Sequence, residues 1–582
     1  MKAMVFDHLL YRHWTAFTGE KRSHVFVVSA ALGTDVRDLT PKSAVGDAET
    51  PTFSLGGPLG YAWAPDSSEI AYVTNLDEVK AASTNNDVFT LRLDEKGAKA
   101  EKISTSPGSD DGPAYSPDGK WLAFRSQARA GFESDRFRLM VMDRKGGSTK
   151  ELMPQFDRWV DEFVWAPDSR SVYFASAQSG TEQVYQYSVS DKTLTLRTKG
   201  VRGDESRDAD LARDLSLSQG AEYGGLAMNS DGHSLIATMM SARAPSEVVV
   251  LKVDDREERD DTGNHLARKA FDGSGSSVRE VLFEERRLTH LNDSVLGQLE
   301  LPKMEEYQFT GAENAKVEGF VVRPPGFDPK KKYPVKFLIH GGPQGAWGDA
   351  WSYRWNPELM AASGYVVVMV NPRGSTGYGQ KFIDEVSGDW GGRAYVDLMK
   401  GLDAAESKFP FIDKTRECAL GASYGGYMAN WVLTHTDRFK CIVTHDGMYN
   451  PASAYGDTEE LWFNEWEFRR AGDLASGKQA QPWKYAAGPA AEDPFRKWSP
   501  MLHIQDAKTP TLVIHSQLDY RLDVSEGYQL FTALQRLGVP SKMLYFPDEG
   551  HWVQKPQNSQ LWNATVSDWC DRWTRSGPYA GK

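Results

Sequence analysis

The chain lacks several things that would have decided its class at once. No run of 18 apolar residues occurs along its 582 positions, so no membrane span is expected. Residues 1–8 have no apolar signal core, so the chain as written carries no export signal. The expectation is a cytoplasmic protein, or a periplasmic or secreted one if a leader was lost with missing N-terminal residues. Only three cysteines are present, Cys418, Cys441 and Cys570. Three cannot build a disulfide framework and their spacing is not that of a metal site, so they are expected as buried thiols. Basic residues are not in excess: the net charge is −13, which argues against nucleic acid as a partner, because phosphate binding needs clustered Lys and Arg. No phosphate-cradling G-K-[ST] motif is present, and no cofactor or metal is expected.

What is there is a repeat, then a change of pattern. Tyr61-Ala62-Trp63-Ala64-Pro65-Asp66 precedes an apolar run at 70–73. Pro113-Ala114-Tyr115-Ser116-Pro117-Asp118-Gly119 precedes another at 121–124, and Phe163-Val164-Trp165-Ala166-Pro167-Asp168 a third at 172–175. A weaker copy, Leu226-Ala227-Met228-Asn229-Ser230-Asp231-Gly232, precedes 235–237. The aspartates lie 52, 50 and 63 residues apart, the period of a β-propeller blade. Charged stretches at 199–214 and 254–264 read as loops between strands. From about residue 305 short apolar runs alternate with helical stretches. Strands are expected at 335–339, 365–370, 417–420, 440–443, 511–514 and 543–546, with helices at 393–408, 426–436, 525–537 and 558–574. That alternation indicates a mostly parallel sheet with helices on both faces. The expected architecture is a β-propeller over 1–305 followed by an α/β-hydrolase domain over 306–582.

Gly421-Ala422-Ser423-Tyr424-Gly425 sits between a strand and a helix, the setting of a nucleophile elbow. Downstream, Asp519 ends one strand and His551 follows another, so the chain order Ser423, Asp519, His551 is that of an α/β-hydrolase triad. Asp523 competes with Asp519 for the second role. The glycine turn His340-Gly341-Gly342-Pro343 ends a strand, so the N–H groups of Gly342 and Tyr424 are candidate oxyanion donors. His340, His435, His445 and His515 are expected to serve structure. The glycine-rich loop Asn371-Pro372-Arg373-Gly374-Ser375-Thr376-Gly377 is expected to line the site, with Arg373 as a substrate contact.

Together with Gly388-Asp389-Trp390-Gly391-Gly392 and Gly426-Tyr427, these motifs resemble, in order, the prolyl oligopeptidase family of serine peptidases. Within it, His445-Asp446-Gly447-Met448 and the stretch from Glu460 to Glu467 are similar to the dipeptidyl-peptidase 5 and acylaminoacyl-peptidase branch. The resemblance implies a propeller gating the active site, short peptides as substrates, and more sequence ahead of Leu10-Tyr11-Arg12-His13-Trp14, hence a propeller incomplete at its N-terminus. Where the family has His-Gly, this chain has His515-Ser516. Release of dipeptides from a free amino terminus would need an anion from the propeller, and Glu133 is the candidate. Trp462 and Trp466 are candidate substrate contacts. Acylaminoacyl-peptidase or carboxylesterase action is the alternative, and a propeller interaction protein with an inert hydrolase domain is another. Nothing in the residues sets the oligomeric state, and a homo-oligomer is compatible with them.

Overall fold

The structure is a computed structural model that describes residues 3–31, 36–52, 60–95, 97–198, 221–253, 268–271, 277–280, 283–474 and 478–575. The stretches 199–214 and 254–264 lie outside the described residues.

The repeated aspartate turn organises the first half. Each copy joins the first two strands of an antiparallel unit: Tyr61–Trp63 to Glu69–Thr74, Asp110–Tyr115 to Trp121–Ser126, Glu162–Trp165 to Ser171–Gln178, and Glu222–Met228 to Ser234–Ser241. All four turns are built alike. The carboxylates of Asp66, Asp118, Asp168 and Asp231 accept the N–H two residues on, at 2.8–3.1 Å. The residue after each aspartate, Ser67, Gly119, Ser169 or Gly232, has φ between +59° and +72°. Serine or glycine follows the aspartate because a β-branched or bulky side chain would be strained there. Apolar faces of neighbouring units pack together, as Ala71 and Val73 do with Leu122 and Phe124. These are propeller blades.

In the second half one eight-stranded sheet carries everything. Its strands are β1 (Glu305–Thr310), β2 (Lys316–Val322), β3 (Tyr333–Ile339), β4 (Val366–Asn371), β5 (Ile412–Ala422), β6 (Cys441–His445), β7 (Thr511–Ser516) and β8 (Ser541–Phe546), in the order 1-2-4-3-5-6-7-8. The two pairings of β2 are antiparallel and all from β4 to β8 are parallel. Helices α1 (Arg393–Lys408), α2 (Tyr424–His435), α3 (Val524–Leu537) and α4 (Pro556–Thr574) cover it. Every residue of β4, β6 and β7 is buried, which is why these strands read as unbroken apolar runs rather than alternations. Asp523 caps α3 by accepting the Ser525 N–H, and Gly538 ends it in the left-handed conformation. Cys418 and Cys441 are paired in register on β5 and β6, and Cys570 of α4 meets them with all three sulfurs within 4.8 Å. All three are free and buried.

Arg373 does not reach the active-site cavity. It is 2% exposed, and its guanidinium bonds both oxygens of Asp397 on α1, Glu385, and the Ala312 carbonyl. The glycines of this loop answer close approaches instead: a Cβ at Gly374 would lie 3.0 Å from Val386, and one at Gly379 2.7 Å from the Asp157 carboxylate. Arg373→Ala should therefore leave Asp397 buried and unpaired, costing about 3–5 kcal/mol. The check is a lower denaturation midpoint with an unchanged KM in the folded fraction; a raised KM at unchanged stability would contradict this placement.

Candidate active site

Ser423 occupies the turn between β5 and α2 at φ 60°, ψ −122°, a strained conformation for a residue with a Cβ. Steric crowding explains both flanking glycines. A Cβ at Gly421 would lie 2.2 Å from the Gly425 carbonyl, and one at Gly425 would lie 2.2 Å from the Ile339 carbonyl. The strained turn is held from beneath: the Ser423 N–H donates to the His445 carbonyl at 3.1 Å and to the Asp446 carboxylate at 2.6 Å.

Asp519, beyond the end of β7, is fully buried. One oxygen accepts the N–H groups of Arg521 and Leu522 at 3.1 and 3.0 Å; the other lies 2.8 Å from His551 Nδ1. Backbone donors thus aim this carboxylate at the imidazole. Asp523 is occupied elsewhere, capping α3 and pairing with Arg12 at 3.3 Å. His551 follows β8, faces Asp519, and has Asp446 as a second carboxylate at 3.5 Å. Burial disfavours charge on His551, but Asp446 and then Asp519 outweigh it and hold the imidazole up at about 9. Asp446, Asp519 and His551 thus form one buried cluster, with an atom of each within 4.8 Å of the others.

Sequence reasoning left Asp446 without a role. Its signal was the same as that of Asp519: a carboxylate just past the C-terminal end of a parallel strand.

Gly342 has φ +123°, which a residue with a side chain would resist. The turn presses on the serine, since a Cβ at Gly341 would sit 3.2 Å from the Ser423 Cβ. Tyr424 is the first residue of α2, so its N–H has no acceptor within the helix. His340 is buried and bonded to the Ser375 hydroxyl at 2.9 Å; burial pushes it down to about 4, so it stays neutral. His515 bonds the Leu522 carbonyl at 2.7 Å, beneath the Asp519 turn. Both histidines serve structure.

Ser423, His551 and Gly342 open onto one cavity of about 480 Å³ between the two halves of the chain. No hydrogen bond within 3.5 Å joins the Ser423 hydroxyl to His551, a contact that commonly tightens only around substrate. Glu133 enters the cavity from a propeller loop that is docked firmly on the hydrolase half. Arg129 forks onto Asp384 at 2.9 Å, Gln380 donates to the Ser134 carbonyl, and Phe132 stacks on Trp466 at 4.3 Å. Trp466 is buried in that stack, with the Arg469 guanidinium over its ring at 4.1 Å, so it anchors the loop and does not line the cavity. The Trp462 indole N–H donates to Glu133 at 3.2 Å, steadying the carboxylate. Glu460 and Arg521 also line the cavity, and Arg521 pairs with Glu459 and Glu460 at 3.0 Å. Burial pushes Glu460 up to about 8, against the pull of Arg521.

Trp14 comes from the other end of the chain. The hairpin Arg12–His13 with Ala16–Phe17 packs on the loops that carry Asp519 and His551: Phe17 meets the Tyr520 ring at 5.4 Å and Trp14 meets Trp552 at 4.8 Å. The Trp14 N–H donates to Glu459 at 2.8 Å, and its ring meets His551 edge-on at 6.1 Å.

The described residues include no helix long and apolar enough to cross a membrane. A model of the Prolyl oligopeptidase family matches residues 351–577, and one of the TolB beta propeller domain matches residues 56–217. Dipeptidyl-peptidase 5 of Arthroderma otae is 33% identical over 606 aligned residues, covering 100% of this chain and 74% of the relative. Dipeptidyl-peptidase 5 of Porphyromonas gingivalis is 31% identical, covering 98% and 75%. In fold, the chain is similar to the solved acylaminoacyl peptidase of Pyrococcus horikoshii, with a TM-score of 0.68 at 21% identity over 89% of this chain and 72% of that one. A β-propeller joined to an α/β-hydrolase domain, and relatives matched along nearly the whole chain, lead to one conclusion: this chain belongs to the prolyl oligopeptidase family and is a serine peptidase.

Proposed function

We propose that the chain releases dipeptides from the free amino terminus of short peptides, with Ser423 as nucleophile, His551 as general base and Asp519 as its orienting carboxylate. The supporting observation is the cavity itself: it opens on Ser423 and His551 and carries Glu133 from the propeller. A carboxylate there offers the substrate ammonium a charged partner, and a docked loop fixes how far from Ser423 that ammonium can sit. The relatives named dipeptidyl-peptidase 5 support the same reading.

In this mechanism His551 accepts the Ser423 proton as the hydroxyl attacks the carbonyl carbon. The N–H groups of Gly342 and Tyr424 hold the oxyanion, each worth about 3 kcal/mol of barrier. The imidazolium then protonates the leaving amine. Asp446 has a positioning role: it holds the elbow through the Ser423 N–H and adds a second negative charge beside the imidazole.

Three measurements test this. A panel of dipeptidyl, N-acetyl-aminoacyl and ester chromogenic substrates should show turnover of the first class, with Ser423→Ala abolishing both turnover and fluorophosphonate labelling. Turnover of esters alone would overturn the dipeptide-releasing reading, and preference for the acetylated class would replace it with acylaminoacyl-peptidase action. Glu133→Ala should raise KM about tenfold for a free-amine dipeptidyl substrate, the loss of one charge-assisted bond, and leave an amine-blocked one alone. Equal effects on both would remove Glu133 from the amine site. Finally, only the neutral imidazole is a base, and His551 is held up at about 9, so kcat/KM should rise with pH on the alkaline side of an ordinary histidine. Asp446→Asn removes one of the two anions, so the midpoint of that rise should move to lower pH. An unmoved midpoint would limit Asp446 to holding the elbow.

A further inference from the structure

The cavity is lined by charge of both signs. Glu133 contributes a carboxylate. Arg354, an exposed residue on the segment that follows the oxyanion turn, contributes a guanidinium. Of the two arginines lining the cavity, Arg521 is paired with the Glu459 carboxylate at 3.0 Å and lies at the same distance from Glu460. Among the described residues no carboxylate lies within 4.0 Å of the Arg354 guanidinium. That guanidinium instead lies over the Trp552 ring at 4.4 Å, an arrangement that uses its face and leaves its donor edge free.

Chemistry fixes which side of the serine this is. The general acid of the acylation step must reach the departing nitrogen, so the leaving peptide lies on the imidazole side of the nucleophile. Trp552 adjoins His551 in the chain. Trp14 packs edge-on against both, at 4.8 Å from the Trp552 ring and 6.1 Å from the His551 ring. Trp14 is itself held rigidly. Its backbone is at φ +56°, its N–H is bound by Glu459, and Arg521 lies over its ring at 4.9 Å. The order outward from His551 is therefore two fixed indole faces and then an unpaired guanidinium.

We propose that Trp14, Trp552 and Arg354 form the leaving-group side of the site, with Arg354 binding the C-terminal carboxylate of the peptide. This rests on the dipeptide-releasing reading and deepens it: the preferred substrates are tripeptides and tetrapeptides with both termini free. The ammonium is held by Glu133 and the carboxylate by Arg354. Guanidinium and carboxylate match as a fork to two oxygens, and a C-terminal amide forfeits both the charge and one acceptor.

The test compares free-acid and C-terminally amidated versions of the same tri- and tetrapeptides, lengthened to eight residues, with active sites counted by fluorophosphonate. Wild-type enzyme should show a KM about tenfold lower for the short acid than for its amide, with similar kcat, because the contact is remote from the reacting bond. The preference should fade as the peptide lengthens. Arg354→Gln should bring the acid-to-amide ratio near one, and Arg354→Lys should restore part of it. A dipeptidyl chromogenic substrate, which has no C-terminal carboxylate, reports the underlying reading separately. If wild type cleaves it yet treats short acids and amides alike, or if Arg354→Gln keeps the ratio, the Arg354 proposal fails alone. If wild type cleaves no free-amine dipeptidyl substrate, both readings fall.

Discussion

The Asp446 carboxylate is the interaction on which the catalytic end of the sheet depends. Its 2.6 Å bond to the Ser423 N–H lies directly under a residue at positive φ. A serine there relaxes unless something over-determines the turn. The strain is confined by bonds from the end of β6, the next strand along, so elbow and sheet edge hold each other. The same side chain faces His551 at 3.5 Å. Position of the nucleophile and basicity of its partner thus share one carboxylate, so a change at Asp446 acts on both.

The second constraint is the docking of the propeller loop that carries Glu133. A gated site needs its two halves in register, yet domain interfaces are often mobile. Here the loop is fixed by the Arg129–Asp384 fork, the Gln380 bond to Ser134 and the stack of Phe132 on Trp466. The first is a bidentate charged pair and the last an apolar contact, so neither salt nor temperature weakens both equally. These contacts tie the loop that carries Glu133 to the half of the chain that carries Ser423.

What could be read in the sequence was what is local. The four aspartate turns were visible because an Asx turn and a positive-φ residue demand Asp followed by Ser or Gly within two positions. The elbow was visible because two glycines flank the serine under direct steric demand. The parallel strands were visible because burial on both faces leaves unbroken apolar runs. Misreadings arose where a local pattern served a distant partner. Arg373 sits in a glycine-rich loop, but its charge is matched by Asp397 on a helix 24 residues on. Trp466 lies in an aromatic stretch, but its ring is committed to Phe132, far away in the chain. Cys418, Cys441 and Cys570 converge through strand register and helix docking, which spacing along the chain does not encode. Trp14 is the extreme case, since it reaches His551 across more than 500 positions.

The high resting basicity of His551 bears on how such a site works. An imidazole held up at about 9 is mostly protonated near neutrality, and a protonated imidazole cannot take the serine proton. The same two carboxylates that hold it there stabilise the imidazolium formed as the serine attacks, so they lower the barrier in the transition state while depleting the active form at rest. Moving either carboxylate away from the imidazole would raise the fraction of neutral base at rest and remove stabilisation of the imidazolium in the same step, so the two effects on rate oppose each other.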